Sequence, residues 1–119
     1  MNHVLTVARQ MLTHVTLTDT RSVSHATLMY RRMGTIHHYN PDFVIVNGVM
    51  LETKGYWDAE DRRKIKAVMR DNPDLDLRMV FQAPFNKISK KSKTTYAQWC
   101  EKHGIKWASA HAIPIDWLT

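Results

Sequence analysis

An Asn47-Gly48 pair lies between two β-prone runs, and it constrains the fold of this chain more than any other feature. Asn-Gly is a strong signal for the tight turn of a β-hairpin, because both residues adopt positive φ readily. Residues 43–46 and 49–54, on its two sides, are rich in valine and other apolar residues. The sequence therefore predicts two antiparallel strands joined at this turn.

Acidic residues stand at both ends of the predicted hairpin, Asp42 after a proline and Glu52 two residues before Lys54. Glu52 and Lys54 share one face of their strand, because side chains alternate along a strand. If Asp42 joins them, two carboxylates supply oxygen ligands for Mg²⁺, and the backbone carbonyl of Thr53 is a further candidate ligand. Lys54 can then orient an attacking water for phosphodiester hydrolysis. The alternative is a surface hairpin with an exposed Glu and Lys.

The length of the turn decides whether the carboxylates meet. A two-residue turn places Asp42 opposite Thr53, on the face away from Glu52. A turn with one extra residue, with Gly48 left-handed in a bulge, pairs Asp42 with Glu52 instead. The apolar pattern fits both turns, so the register stays open.

Other segments show the periodicity or the boundary residues of regular structure. Before the hairpin, the predictions are a helix over residues 3–14, strands over 15–18 and 26–30, and a turn or linker over 19–24. After the hairpin, they are a helix capped by Asp58 and ended by Asn72-Pro73, a half-buried strand over 75–81, a helix from Thr95 to His103 with Gly104 behind it, a short strand over 105–107 and a packed tail over 113–118. The order β-β-α-β-α-β from the hairpin onward predicts a mixed α/β sheet.

The size and charge of the chain narrow the function classes. A chain of 119 residues fits one domain with a modest core. The net charge of +6 favours a polyanionic partner, nucleic acid first. One cysteine excludes an internal disulfide and a cysteine-rich zinc site. The sequence contains no apolar run of membrane-spanning length and no signal-peptide pattern, so we expect a cytoplasmic protein without a membrane partner or a small-molecule cofactor.

A lysine-rich loop over residues 84–93 follows the predicted strand 75–81. Its four lysines either contact a phosphate backbone or are merely solvated, and we favour contact: Lys87, Lys90, Lys91 and Lys93.

From Tyr39 to Leu118 the chain resembles the endonuclease I family of T-odd bacteriophages, which are junction-resolving enzymes. The matching residues lie in order along this stretch: Tyr39, Pro41-Asp42-Phe43, Asn47-Gly48, Glu52-Thr53-Lys54-Gly55, Trp57, Asp61-Arg62, Asp76, Val80-Phe81, Thr95-Tyr96, Ile113-Pro114 and Trp117. The block Cys100-Glu101-Lys102-His103-Gly104-Ile105-Lys106 is the most specific part of the resemblance.

The resemblance implies a Mg²⁺-dependent endonuclease of the PD-(D/E)XK type, with a restriction-endonuclease-like sheet flanked by helices. Members of the family are intertwined, segment-swapped homodimers that cut four-way junctions in branched DNA and leave 5′-phosphates. Asp42 and Glu52 correspond to metal ligands and Lys54 to the catalytic lysine, and Mn²⁺ is expected to replace Mg²⁺. The family helix that begins near Asp58 lies close to bound DNA, which implies phosphate contacts for Arg62, Arg63, Lys64 and Lys66.

Residues 1–38 depart from the family pattern, whereas residues 39–119 match its catalytic core. The family places a metal-binding glutamate on the N-terminal helix, across the dimer, and no glutamate precedes Glu52 here. His3, Gln10 or His14 could take that place, and residues 29–33 could bridge the two halves of a dimer. The alternatives are therefore a nicking endonuclease on duplex DNA with sequence preference, or a DNA-binding homologue with impaired catalysis.

Overall fold

The computed structural model describes the backbone of residues 23–24 and 26–119, with side chains from Ala26 onward. The helix predicted for residues 3–14 and the strand predicted for residues 15–18 lie outside the described residues. The same holds for the candidate ligands His3, Gln10 and His14.

Five strands precede the first described helix, and helices and strands alternate from there. Their bounds are β1 (Val23–Ser24), β2 (Leu28–Arg32), β3 (Thr35–Tyr39), β4 (Phe43–Ile45), β5 (Met50–Lys54), α1 (Ala59–Asp71), β6 (Leu77–Phe81), α2 (Tyr96–Lys102), β7 (Trp107–Ser109) and a short 3₁₀ turn (Ile115–Trp117). None of the helices among the described residues combines the length and apolar character needed to cross a membrane.

The main sheet is mixed and contains five strands in the order β1-β4-β5-β6-β7. The pairs β1–β4 and β4–β5 are antiparallel, whereas β5–β6 and β6–β7 are parallel. Strands β2 and β3 pair with each other in a separate hairpin. The order β-β-α-β-α-β from β4 to β7 confirms the predicted mixed α/β class.

Among the described residues, α1 starts after the predicted cap Asp58, and α2 starts after Thr95, the predicted first residue of its helix. The side chain of Asp58 accepts a hydrogen bond from the Asp61 amide at 2.8 Å, which satisfies one open donor of the first turn. Thr95 and Gln98 form a reciprocal capping box before α2. Gly104, with φ of +71°, follows the end of α2, as predicted from its freedom at positive φ.

Two apolar layers cover the two faces of the main sheet. Met79 and Phe81 of β6 face the layer that contains Trp57 and Ile65 near and within α1. Val80 faces the opposite layer, which the C-terminal segment completes with buried Ile113, Trp117 and Leu118. The packed tail is therefore confirmed. The strand predicted over 75–81 is confirmed but begins only at Leu77, and its predicted half-burial is wrong, because β6 is a central strand covered on both faces.

Two further boundaries differ from the sequence prediction. The strand predicted over 105–107 is found at Trp107–Ser109, because the Ile105 amide still bonds the Cys100 carbonyl at 2.8 Å and closes the end of α2. Val23 and Ser24, at the end of the predicted turn over 19–24, form strand β1 instead and pair with β4.

The β2–β3 hairpin packs on the C-terminal end of α1. The Arg31 amide donates to Oδ2 of Asp71 at 2.6 Å, and Nδ2 of Asn72 donates to the Met29 carbonyl at 2.9 Å. The strand predicted over 26–30 thus forms slightly later, at Leu28–Arg32. Residues 29–33 form most of β2 and enter its turn, while their bridging of two protomers stays a prediction.

Candidate active site

The β4–β5 turn contains the extra residue that brings the carboxylates to one face. Phe43 pairs with Leu51 and Val44 with Met50, which leaves residues 46–48 in the turn beyond Ile45. One step further in the same register, Asp42 stands opposite Glu52, the second of the two registers left open by the sequence. The predicted strand 43–46 accordingly ends one residue early.

Gly48 makes this turn possible. Its φ is +93°, and its amide donates to the Ile45 carbonyl at 2.9 Å. Positive φ is easily adopted by glycine and strained for most other residues. The Val49 amide donates to Oδ1 of Asn47 at 3.0 Å, so the asparagine side chain supports the same turn. The Asn-Gly pair therefore sets the register as well as the location of the hairpin.

Asp42 lies just before β4, and Thr53 of β5 holds its carboxylate. Both the amide and the hydroxyl of Thr53 donate to Oδ2 of Asp42, each at 2.8 Å. These two bonds orient the carboxylate without using Oδ1. Thr53 is fully buried, so the anchor for Asp42 is part of the core of the sheet.

Glu52 is 7% exposed, and both of its carboxylate oxygens have protein neighbours. The hydroxyl of Tyr39 donates to Oε1 at 2.6 Å, and Nζ of Lys54 lies 3.7 Å from Oε2. Burial, and next the negative charge of Asp42, raise the pKa of Glu52 to about 7, whereas Tyr39 and Lys54 act in the opposite direction. The two carboxylates therefore repel each other in a site with little access to water.

Lys54 lies between two carboxylates. Its Nζ is 3.7 Å from Oε2 of Glu52 and 3.7 Å from Oδ1 of Asp61, on the first turn of α1. The Lys54 side chain is 17% exposed, which keeps these charges poorly screened. At 3.7 Å from each, the single charge of Lys54 can balance only part of the charge of Glu52 and Asp61.

Among the described residues, no three side chains of the His, Cys, Asp and Glu type are grouped as a metal site. Asp42 and Glu52 form a pair on one face of the sheet. A pair of carboxylates is a common protein contribution to a Mg²⁺ site, in which waters and phosphate oxygens supply the remaining ligands.

Comparison with known protein families agrees with this geometry. The family model of phage endonuclease I matches residues 8–119. The chain belongs to the phage endonuclease I family. The resemblance seen in the sequence is thereby confirmed.

Two relatives of the family are similar to the larger part of this chain. Endonuclease I of Escherichia phage T7 is 45% identical over 82 residues, which cover 69% of this chain and 54% of the relative. Endodeoxyribonuclease 1 of Enterobacteria phage T3 is 49% identical over 79 residues, which cover 66% of this chain and 51% of the relative. The matched stretch thus spans about half the length of each relative.

Three residues at this site in the phage endonuclease I fold were not assigned their roles from the sequence. Tyr39 and Asp61 were each noted only as part of the family resemblance. Their spacing from Glu52 and Lys54 along the chain gives no signal of contact, because α1 and β3 approach the site through tertiary packing. Thr53 was considered for its carbonyl, whereas its amide and hydroxyl hold Asp42.

The basic residues predicted to bind DNA differ in accessibility. Arg62 is buried, and its Nη1 donates to the Trp57 carbonyl at 2.7 Å, so its guanidinium links α1 to the preceding loop. Nζ of Lys64 lies 5.3 Å from the centre of the Tyr39 ring, close to the carboxylate pair. The remaining predicted cations are exposed: Arg63, Lys66, Lys87, Lys90, Lys91 and Lys93.

Proposed function

We propose that this protein is a metal-dependent endonuclease that hydrolyses phosphodiester bonds in branched DNA, with four-way junctions as its main substrate and 5′-phosphate ends as its products. The observation that carries the proposal is the register of the β4–β5 hairpin, which sets Asp42 opposite Glu52 with Lys54 on the same face. The names of the two relatives, an endonuclease and an endodeoxyribonuclease, support the same class of activity.

The residues at the site fit a divalent cation. Burial, and next the charge of Asp42, raise the pKa of Glu52 to about 7. Two ionised carboxylates in so poorly solvated a site are unfavourable without a cation. Asp42 and Glu52 would hold Mg²⁺ or Mn²⁺, with the backbone carbonyl of Thr53 as a further ligand. When bound, such an ion acidifies water and neutralises charge at the scissile phosphate.

The protein's own side chains orient the reaction. Lys54 holds its ammonium beside the carboxylate pair, where it orients the attacking water and neutralises the oxyanion that develops on phosphorus. Asp61 and Glu52 keep Nζ of Lys54 in place. Tyr39 fixes the orientation of Glu52 through its hydroxyl.

Basic residues around the site, all of them exposed except the half-buried Lys64, hold the DNA backbone. We include Arg63, Lys64 and Lys66 of α1, and the loop lysines Lys87, Lys90, Lys91 and Lys93. We leave out Arg62, because its guanidinium is buried against backbone carbonyls. Contacts of this kind read the shape and phosphate positions of branched DNA rather than its base sequence.

The assembly we propose is an intertwined, segment-swapped homodimer with a restriction-endonuclease-like fold. Residues 39–119 form its catalytic core. The mixed sheet with the site at the β4–β5 hairpin supports the fold, and the family resemblance supports the dimer. The protein would act in the cytoplasm of an infected bacterium.

Cleavage of a synthetic four-way junction tests the proposal. With Mg²⁺ or Mn²⁺, the protein should cut the junction near its branch point and leave matched linear duplex largely intact. Recurrent cuts at one motif of a plasmid would favour the duplex-nicking alternative. Junction binding with neither metal binding nor cleavage would favour the catalytically impaired alternative, and either result would contradict the proposal.

Substitution of Thr53 by valine should weaken metal binding without unfolding the sheet. Valine removes one of the two donors to Oδ2 of Asp42, and loss of such a supporting hydrogen bond typically weakens metal affinity or activity by about 10-fold to 100-fold. Calorimetric titration with Mn²⁺ measures the effect, and Thr53→Ser, which keeps the hydroxyl, is the matched control. Equal affinities for Thr53→Val and wild type would show that the hydroxyl does not position Asp42.

A further inference from the structure

A groove of about 680 Å³ lies at the end of the main sheet where the parallel strands finish. One wall is the loop after β6, and the other is β7 with the segment that follows it. Its lining combines aromatic, small and polar side chains, among them Gln82, Phe85, Asn86, Trp107, Ser109 and Ala112. We term it the Phe85 groove.

The Phe85 groove adjoins the candidate active site through the sheet. Strand register aligns Lys54 with Phe81, and Phe81 with Ser109. The amide of Gln82, a lining residue, donates to the Lys54 carbonyl at 3.1 Å. Neighbouring strands lie about 4.8 Å apart, so Ser109 is about 10 Å from the Lys54 backbone. If a phosphate of a DNA strand lies at Lys54, a base about one or two nucleotides along that strand can therefore reach the groove.

Phe85 is an aromatic ring held in solvent on a fixed backbone. Its side chain is 71% exposed, and its ring meets Trp107 nearly perpendicularly, with centroids 5.7 Å apart. The loop on both sides of Phe85 is tied to the start of α2, since the Ala97 amide donates to the Pro84 carbonyl and the Tyr96 amide to the Asn86 carbonyl, each at 2.9 Å. The ring thus offers a stacking surface whose position is set before any ligand arrives.

The surroundings of the ring fit a planar ligand with polar edges. Ala108 and Ala112 leave room in the groove, while the side-chain amides of Gln82 and Asn86 provide both donors and acceptors. Exposed Lys87 lies two residues after Phe85 along the chain, on the lysine loop. Exposed Phe85 and the lysines that follow it along the chain combine two features that bind single-stranded nucleic acid, an aromatic ring on which a base stacks and positive charge for the phosphates.

We propose that the Phe85 groove takes one unstacked nucleobase of the DNA strand whose phosphate lies at Lys54. The inference rests on the proposed function and adds a reason for its choice of substrate. The branch point of a junction interrupts base stacking, whereas a base in continuous duplex must first be extracted at a cost in free energy. A base site beside the cleavage centre therefore favours branched DNA over duplex without reading sequence.

Junctions that lack single bases test this site. Binding is measured in Ca²⁺, without cleavage, on a series of four-way junctions. Each junction carries a single abasic nucleotide, placed at a different position around the cut. At one position, loss of the base should weaken wild-type binding about 10-fold, as expected for one base–aromatic stack. Phe85→Ala should bind the intact junction about 10-fold more weakly, and the same abasic nucleotide should cause no further loss.

Two control variants bracket Phe85→Ala. Phe85→Tyr keeps the aromatic face and should behave as wild type. Val46→Ala changes a side chain that is 74% exposed at the turn on the other end of β5, and should also behave as wild type. The inference is overturned if no abasic position weakens wild-type binding, if the losses from Phe85→Ala and the abasic nucleotide simply add, or if Phe85→Ala weakens self-association instead, as a second copy seated on the ring would predict. Junction cleavage by the wild-type protein reports separately on the proposed function.

Discussion

Lys54→Ala is expected to lower the single-turnover rate of junction cleavage by about 10³-fold while junction affinity stays within about twofold of wild type. The ammonium of Lys54 lies beside the carboxylate pair, on the face where the scissile phosphate would be bound, and it is held there by Glu52 and Asp61. Its charge matters most in the transition state, when negative charge builds on phosphorus. The rate should therefore fall far more than binding.

Rapid mixing of excess protein with labelled junction in Mg²⁺ measures this rate, and a parallel titration in Ca²⁺ measures affinity. Lys102→Ala is the matched control, because Lys102 is an exposed lysine on α2 outside the proposed DNA surface. A Lys54→Ala rate within about 10-fold of wild type would remove Lys54 from the catalytic assignment. The control should cleave at the wild-type rate.

Glu52→Gln is expected to stabilise the metal-free protein at about pH 8 by about 3 kcal/mol. Burial beside Asp42 raises the pKa of Glu52 to about 7 from its ordinary value of 4.5. A raised acid pKa means that the folded state holds the proton more tightly than the unfolded state. The stability linked to that proton is complete below about pH 4.5 and is lost as the pH rises through about 7.

Glutamine keeps an acceptor for the Tyr39 hydroxyl but does not ionise, so the variant should lack this part of the pH dependence. Urea unfolding in EDTA across this pH range, compared between variant and wild type, isolates the contribution of Glu52 from the other carboxylates. Glu101→Gln, at an exposed position on α2, is the control and should follow wild type. If the free energies of unfolding of the wild type and Glu52→Gln change with pH in the same way, the pKa of Glu52 is not raised in the folded protein.

Metal should reverse this difference at about pH 8. A cation that binds only the folded state stabilises it in proportion to the logarithm of its concentration. Mn²⁺ should therefore stabilise wild type and leave Glu52→Gln almost unchanged. The same residue would then be a source of instability in the metal-free protein and a source of stability in the metal-bound protein.

Much of the fold follows from local signals. The cap at Asp58, the glycine behind α2 and the Asn-Gly turn are each determined by a few neighbouring residues, and all occur where the sequence predicts them. The start of α2 also lies within one residue of its predicted position. The strand over 75–81 was misjudged as half-buried, because its exposure depends on which segments cover the sheet. The C-terminal segment that buries Val80 comes from nearly 40 residues further along the chain.

The sequence by itself determined the hairpin, the two helices and the identities of Asp42, Glu52 and Lys54 as a candidate site, because these depend on local propensity and on residue chemistry. The tertiary structure decided the rest. The apolar pattern left two registers of β4 on β5 open, and the folded chain takes the one in which Asp42 stands opposite Glu52. Packing of α1 on the sheet brought Asp61 to Lys54 and turned Arg62 inward. Contacts between distant segments depend on the whole packed core, and no spacing in the sequence encodes them.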